Sequence, residues 1–363
     1  MKKSLIALAV LAAAGAASAQ SSVTLFGVID VAATYGTANG NGDADRWSLT
    51  SGNNATSRLG FRGTEDLGGG MSASFWLEAQ LMIDDGTGAA TSMNNVTTTG
   101  GSSGLVFNRR STVSLSGGWG ELRLGRDYTP QFWNLTNFDP YGTVGVGTTA
   151  TLQPGFTGTT SVRASNSIGY FLPGNLGGFY GQAQYYMGEN AQNGAVTEDD
   201  GNGYGVRLGF ANGPFNVAIA LSRTDLTTGG FETDVKQNNV AGQWDFGFGR
   251  LVAQYSKDKR GSIDAEGWLI GGLFPIGAGE IKASYSRYEL DSAGDPRSTK
   301  IALGYVHNLS KRTAIYTTVA QLKNDHGGVR LSTAAAQPAL GGAIIGAGGD
   351  KSTGVDLGIR HSF

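Results

Sequence analysis

Ionisable side chains make up only 15% of this chain of 363 residues, and several of them recur at even spacing. Arg58 and Arg62 stand four apart, Glu78 closes the run Phe75-Trp76-Leu77-Glu78, Arg110 precedes Ser111-Thr112-Val113, and Glu121, Arg123 and Asp127 follow at spacings of two and four. Residues two or four apart share one face of a β-strand. A row of guanidinium groups, which stay charged at any physiological pH, breaks no bonds by itself. Its field attracts anions and sorts ions by sign.

Residues for covalent or metal chemistry are missing. There is no Cys, and His307, His326 and His361 show no ligand spacing, so neither a thiol nucleophile nor a metal centre is expected, and no cofactor motif occurs. The one G-x-S-x-G run, Gly100-Gly101-Ser102-Ser103-Gly104, sits in a Gly/Ser-rich polar stretch without the strand-to-helix context of a nucleophile elbow. Gly348-Gly349-Asp350 lacks the repeats of a calcium-binding β-helix. With Lys+Arg 27 against Asp+Glu 29, no basic excess exists to hold nucleic acid. The sequence is not expected to encode an enzyme.

The elements that must position the arginines alternate with period two. Val23, Leu25, Gly27, Ile29 and Val31 share a face, and the pattern returns at Leu59/Phe61, Phe75/Leu77, Val113/Leu115 and Leu122/Leu124 and on to Val355/Leu357/Ile359. About sixteen such strands of roughly ten residues are counted, the length a tilted membrane-spanning strand needs. Gly/Asn-rich turns such as Leu67-Gly68-Gly69-Gly70 and Gly117-Gly118-Trp119-Gly120 alternate with long polar segments from Asp84 to Gly104, Thr129 to Ser161, Glu189 to Asn202 and Asn324 to Lys351. The fold class expected is all-β: a transmembrane antiparallel barrel with short periplasmic turns and long extracellular loops. A soluble β-sandwich also alternates. Three features favour lipid: the strand number, the Gly, Ser, Gln and Arg of the polar faces, and aromatics near strand ends.

Residues 1–19 read as a signal peptide, with Lys2-Lys3, an apolar run from Ser4 to Ala14 and Ala17-Ser18-Ala19 as the cleavage pattern. Residues 20–363 then form the barrel. Lys2 and Lys3 leave with the leader and no acid does, which takes the formal charge from −2 to −4.

Ser57-Arg58-Leu59-Gly60-Phe61-Arg62-Gly63-Thr64-Glu65-Asp66-Leu67-Gly68-Gly69-Gly70, with Phe75-Trp76-Leu77-Glu78 after it, resembles the second and third strands of Gram-negative general porins. Val23 to Asp30, Leu124 to Pro130, Asn166 to Tyr170 and the ending Gly358-Ile359-Arg360-His361-Ser362-Phe363 extend the likeness in the same order, nearest to the beta-proteobacterial branch with its Burkholderia, Bordetella, Comamonas and Neisseria members. The resemblance implies a sixteen-stranded barrel, a homotrimer in the outer membrane among lipid and lipopolysaccharide, and a third extracellular loop folded into the lumen. It also implies that Phe363, an outward terminal aromatic, is read by the barrel-insertion machinery, and that Arg163 is a pore arginine.

If Leu59, Phe61, Val113, Leu115, Leu122 and Leu124 face lipid, Arg58, Arg62, Arg110 and Arg123 face a water-filled lumen, with Glu78, Glu121 and Asp127 among them and Asp30 as a further acid. Between Pro130 and Val162 the only acid is Asp139, and Pro130-Gln131-Phe132 stands where enterobacterial relatives carry Pro-Glu-Phe. Arg58, Arg62, Arg110, Arg123 and Arg163 set against Glu78, Asp127 and Asp139 predict a constriction with weak anion preference. The function expected is passive general diffusion of small hydrophilic solutes and ions. The alternative is a substrate-selective channel for small anionic molecules.

Overall fold

The computed structural model describes residues 22–39, 45–96, 104–325, 329–330, 344–345 and 351–363. The expected leader lies outside the described residues, as do His326, Gly348-Gly349-Asp350 and most of the Gly100–Gly104 run.

A bilayer offers no water to backbone N–H and C=O groups, so strands crossing it must pair on both edges. In chain order the strands are β1 (Ser22–Asn39), β2 (Arg46–Ser51), β3 (Arg58–Gly68), β4 (Met71–Gln80), β5 (Arg110–Gly117), β6 (Gly120–Tyr128), β7 (Arg163–Phe171), β8 (Phe179–Tyr186), β9 (Gly203–Asn212) and β10 (Phe215–Thr224). They continue with β11 (Val235–Asp245), β12 (Arg250–Arg260), β13 (Ile263–Ile276), β14 (Gly279–Asp291), β15 (Arg297–Asn308), β16 (Thr313–Asp325) and β17 (Lys351–Ser362). All neighbours are antiparallel, and β17 returns to β1 from Val28↔Ser362 to Asn39↔Lys351, which closes the sheet. Seventeen segments make sixteen barrel positions, because β2 and β3 both pair with β1 along one edge and form two halves of a single spanning strand. The transmembrane antiparallel barrel expected from the alternation is the fold observed.

Side-chain exposure follows the pleat. Val113, Leu115, Leu122, Leu124, Leu208, Ile301 and Leu357 are exposed on the outer wall, whereas the alternate residues Thr112, Ser114, Arg207, Lys300 and Asp356 are buried on the inner one. Short turns gather at one rim. At Gly68-Gly69-Gly70 three successive residues have φ of +77°, +61° and +78°, a left-handed run that L side chains disfavour. The opposite rim carries the long connections. One of them, between β6 and β7, contains the helices α1 (Pro130–Asn137) and α2 (Pro154–Thr157).

The strand pair that joins the two ends of the chain is secured by Phe363. Its N–H donates to Gly27 O and its C=O accepts from Gly27 N, both at 3.1 Å, and its ring occupies the space where a Cβ on residue 27 would stand.

An Arg at Val113, in the middle of β5 on the outer wall, should destabilise the barrel by about 2 to 4 kcal/mol. The same change at Gln80, which faces the interior, should be mild. Urea unfolding in lipid vesicles measures both; equal costs would reject the facing assignment.

Candidate functional site

Inside the barrel a cavity of about 840 Å³ lies between the inner wall of β1 to β6 and the segment joining β6 to β7. Its charged lining is Arg58, Arg62, Arg109, Arg110 and Arg163 with Glu78 and Asp127, which is five guanidinium groups against two carboxylates.

Each arginine is held by a neighbour on the wall. Glu78 accepts from Arg109 Nε at 2.5 Å and from Trp76 Nε1 at 3.1 Å, and Arg58 Nε lies 3.8 Å from the same carboxylate. Arg109 also donates to Tyr128 Oη at 2.7 Å. Arg163 donates to that hydroxyl at 3.0 Å and to Arg109 O at 2.9 Å, with its guanidinium 4.4 Å from the Tyr128 ring centre. Trp76 lies between Arg62 and Arg110, whose guanidinium carbons are 5.1 Å and 4.7 Å from its ring centre. Cation–π contact orients these two charges without neutralising them. Arg123 differs. It bonds Glu121 at 2.8 Å and Asp127 at 2.5 Å and stacks on Phe171, so its charge is met by two carboxylates.

The wall opposite is built by residues 129–162. Asn134 donates to Ala218 O at 3.1 Å, Asn239 to Gln131 O at 3.1 Å, Gln254 to Leu135 O at 3.0 Å, Tyr141 Oη to Lys282 O at 3.0 Å, and Lys300 Nζ to Thr148 O at 2.9 Å. The partners sit on the polar faces of β10 to β15. Two inward glycines make room for the backbone: a Cβ at Gly205 would stand 3.0 Å from Pro130, and one at Gly271 2.6 Å from Pro140. The segment then reaches back across the barrel, where Gly145 passes so close to the break between β2 and β3 that an added Cβ would stand 2.2 Å from Asn53 O. That break is fixed by Asp30, which accepts from Asn54 N at 2.9 Å, Ala55 N at 2.6 Å and the Tyr316 hydroxyl.

The structure brings together Arg58, Arg62, Arg110, Arg163, Glu78 and Asp127 of the residues read from sequence. Asp139 lies elsewhere. It is buried within the loop, where its carboxylate accepts from the backbone N–H of Tyr141 at 3.0 Å, Thr143 at 2.9 Å and Thr149 at 3.1 Å. Burial pushes that carboxyl above the ordinary range, and the three N–H groups offset part of the shift. Sequence reasoning missed Arg109, which precedes β5 and so escapes the alternation, and Tyr128, which follows an irregularity in the β6–β7 register between Gly125 and Asp127. The doublet Arg109-Arg110 was the available signal.

Comparison with known proteins places this geometry. A family model described as Gram-negative porin matches residues 5–327. Outer membrane porin protein 32 of Delftia acidovorans is 41% identical over the full length of both chains. Major outer membrane protein P.IB of Neisseria meningitidis serogroup B is 26% identical, with 90% of this chain and 95% of that one covered. Among solved structures, the anion-selective porin from Comamonas acidovorans superposes with a TM-score of 0.80 at 37% identity, covering 95% of this chain and all of that one.

Glu78→Gln leaves Arg109 buried without its carboxylate and should cost up to about 3 kcal/mol in urea unfolding. Combining it with Arg109→Met should restore most of that loss. A single change without effect would show that the pair does not hold the wall.

Proposed function

The chain belongs to the Gram-negative porin family and is an outer membrane porin, and from that premise we propose that it is a general diffusion channel with weak to moderate anion preference. The observation that carries the preference is the lining of five arginines and two carboxylates. Opposing charges more than about 8 Å away are largely screened at physiological salt, so the narrow segment outweighs the formal charge of the whole chain. Asp127 is engaged by Arg123, which strengthens the imbalance. The relative from Comamonas is named anion-selective, in the same sense.

In this reading residues 129–162 form a loop folded into the lumen, supported by their hydrogen bonds to the polar faces of β10 to β15. A solute passes between the arginine wall and the mostly neutral loop, which presents Trp133, Thr136, Thr143 and Val144. Asp139 serves as the loop's internal brace. Arg62 and Arg110 on either side of Trp76 favour the second reading, a channel with a distinct station for small anions, whose flux would saturate with solute concentration. We also propose cleavage of the leader before Gln20, assembly as a homotrimer among lipopolysaccharide, and recognition of Phe363 by the insertion machinery. A mass by light scattering equal to one barrel plus detergent would remove the trimer.

Replacing Arg58 and Arg110 together by Ser should move the zero-current potential in a KCl gradient toward cation preference. The wild-type preference should persist from about pH 6 to about pH 9, because guanidinium groups do not titrate there. A wild type that prefers cations, or a double variant with an unchanged potential, rejects the arginine filter. Asp139→Ala, which releases three N–H groups from a charged acceptor at about 1.5 to 3 kcal/mol for each such bond, should raise open-channel current noise in planar bilayers.

A further inference from the structure

The outer wall carries a feature that conduction does not use. On the exterior of β14, β15 and β16, near the long-loop rim, a charged hollow of about 390 Å³ is lined by Arg287, Arg297, Thr299, Lys323 and Asp325 with Tyr285 at its lower edge. On the same three strands, further from that rim, lies an apolar hollow of about 330 Å³ lined by Ile281, Leu303, Tyr305, Thr317 and Val319.

Strand register sets the two hollows in line along the same three strands. Arg287, Thr299 and Lys323 form a row across the three strands, the next outward row toward the turns is Tyr285, Ile301 and Gln321, and the one after it is Ala283, Leu303 and Val319. The first and third rows are four residues apart, about 13 Å along a strand. Ala283 leaves the apolar row open on one side.

The row above, nearest the rim, is Glu289, Arg297 and Asp325. Glu289 bonds Arg287, and Asp325 lies 3.4 Å from Arg297 and 2.7 Å from Lys323, so both acids stand on the rim side of Arg287 and Lys323, level with Arg297. Arg287 and Lys323 are separated by two strand spacings, about 10 Å, with the Thr299 hydroxyl between them. Their side chains are 34% and 50% exposed.

Resting on the outer-membrane reading, we propose that the two aligned hollows work as one furrow, a binding site for a phosphorylated, acylated lipid of the outer leaflet. The phosphate is held between Arg287 and Lys323 over Thr299, and an acyl chain lies along Ala283, Leu303 and Val319. Charge complementarity selects the phosphate, and the depth order fixes the lipid as its source: the cations sit toward the long-loop rim, and the apolar hollow follows them toward the bilayer centre. Guanidinium–phosphate contacts are charge-assisted and short. A free phosphate ion would gain nothing from the lower half of the furrow.

The full chain, refolded into detergent without native lipid, is titrated with lipid A, with the same lipid after phosphatase treatment, and with inorganic phosphate, and bound lipid is counted by native mass spectrometry. Lipid A should bind, and either removal of its phosphates or the double change Arg287→Gln/Lys323→Gln should weaken binding about tenfold, roughly the loss of one charge-assisted contact. Leu303→Trp, which fills the apolar hollow and leaves every charge in place, should weaken it as well. Inorganic phosphate should neither bind nor compete at equal concentration. Equal affinity for the dephosphorylated lipid, equal affinity in all variants, or a barrel-to-barrel contact at this face in place of lipid overturns the proposal. Single-channel conductance of the same variants reports folding and the pore reading separately, because none of the three residues lines the channel cavity.

Discussion

The whole architecture rests on the obligation to pair every backbone polar group in a medium without water. A sheet in lipid has no tolerable edge, so β1 and β17, far apart in the chain, must meet. Closure at sixteen positions yields an interior too wide for side chains alone to fill. The polar faces of β10 to β15 are then free to bond a second layer of chain, and the segment from residue 129 to 162 supplies it. In the proposed reading, with this segment folded into the lumen, its irregular backbone is tolerable because its polar groups are bonded through Asn134, Asn239, Gln254 and Lys300.

The two walls of the cavity obey different electrostatic rules. Residues 129–162 carry a single ionisable acid, consumed internally by three amides, so this wall presents dipoles and apolar groups. The strand wall concentrates cations that would repel one another on a bare surface. Glu78, Tyr128 and Trp76 make the cluster tenable: the carboxylate and phenol accept from the buried Arg109, the phenol also from the half-buried Arg163, and the indole face carries Arg62 and Arg110. The acid within this cation-rich wall is therefore a structural strut, and deleting it to increase positive charge would disorder the charges it organises.

Legibility in the sequence followed the range of the interactions. Alternation is a local signal, and it placed Val113 and Leu124 outside and Arg58, Arg62 and Arg110 inside. It applies only within regular strands. Arg109 precedes β5 and enters the lumen regardless of parity, and the irregularity between Gly125 and Asp127 brings Tyr128 to the cavity. The role of Asp139 was hidden because its partners are backbone groups of a loop whose path depends on distant strands. Gly205 and Gly271 looked like two more glycines in a chain with 59; their purpose appears only when Pro130 and Pro140 arrive from far away in sequence.

The seam between β1 and β17 also sets an order in time. Adjacent strands pair across short turns at little entropic cost, whereas this seam joins Val28 to Ser362 and must gather the whole intervening chain. Fifteen sequential neighbour pairs can form before it, but each such partial sheet still offers two raw edges. The barrel is thus a structure whose earliest and latest strands wait for each other, and the interval before they meet is when the chain most needs an escort.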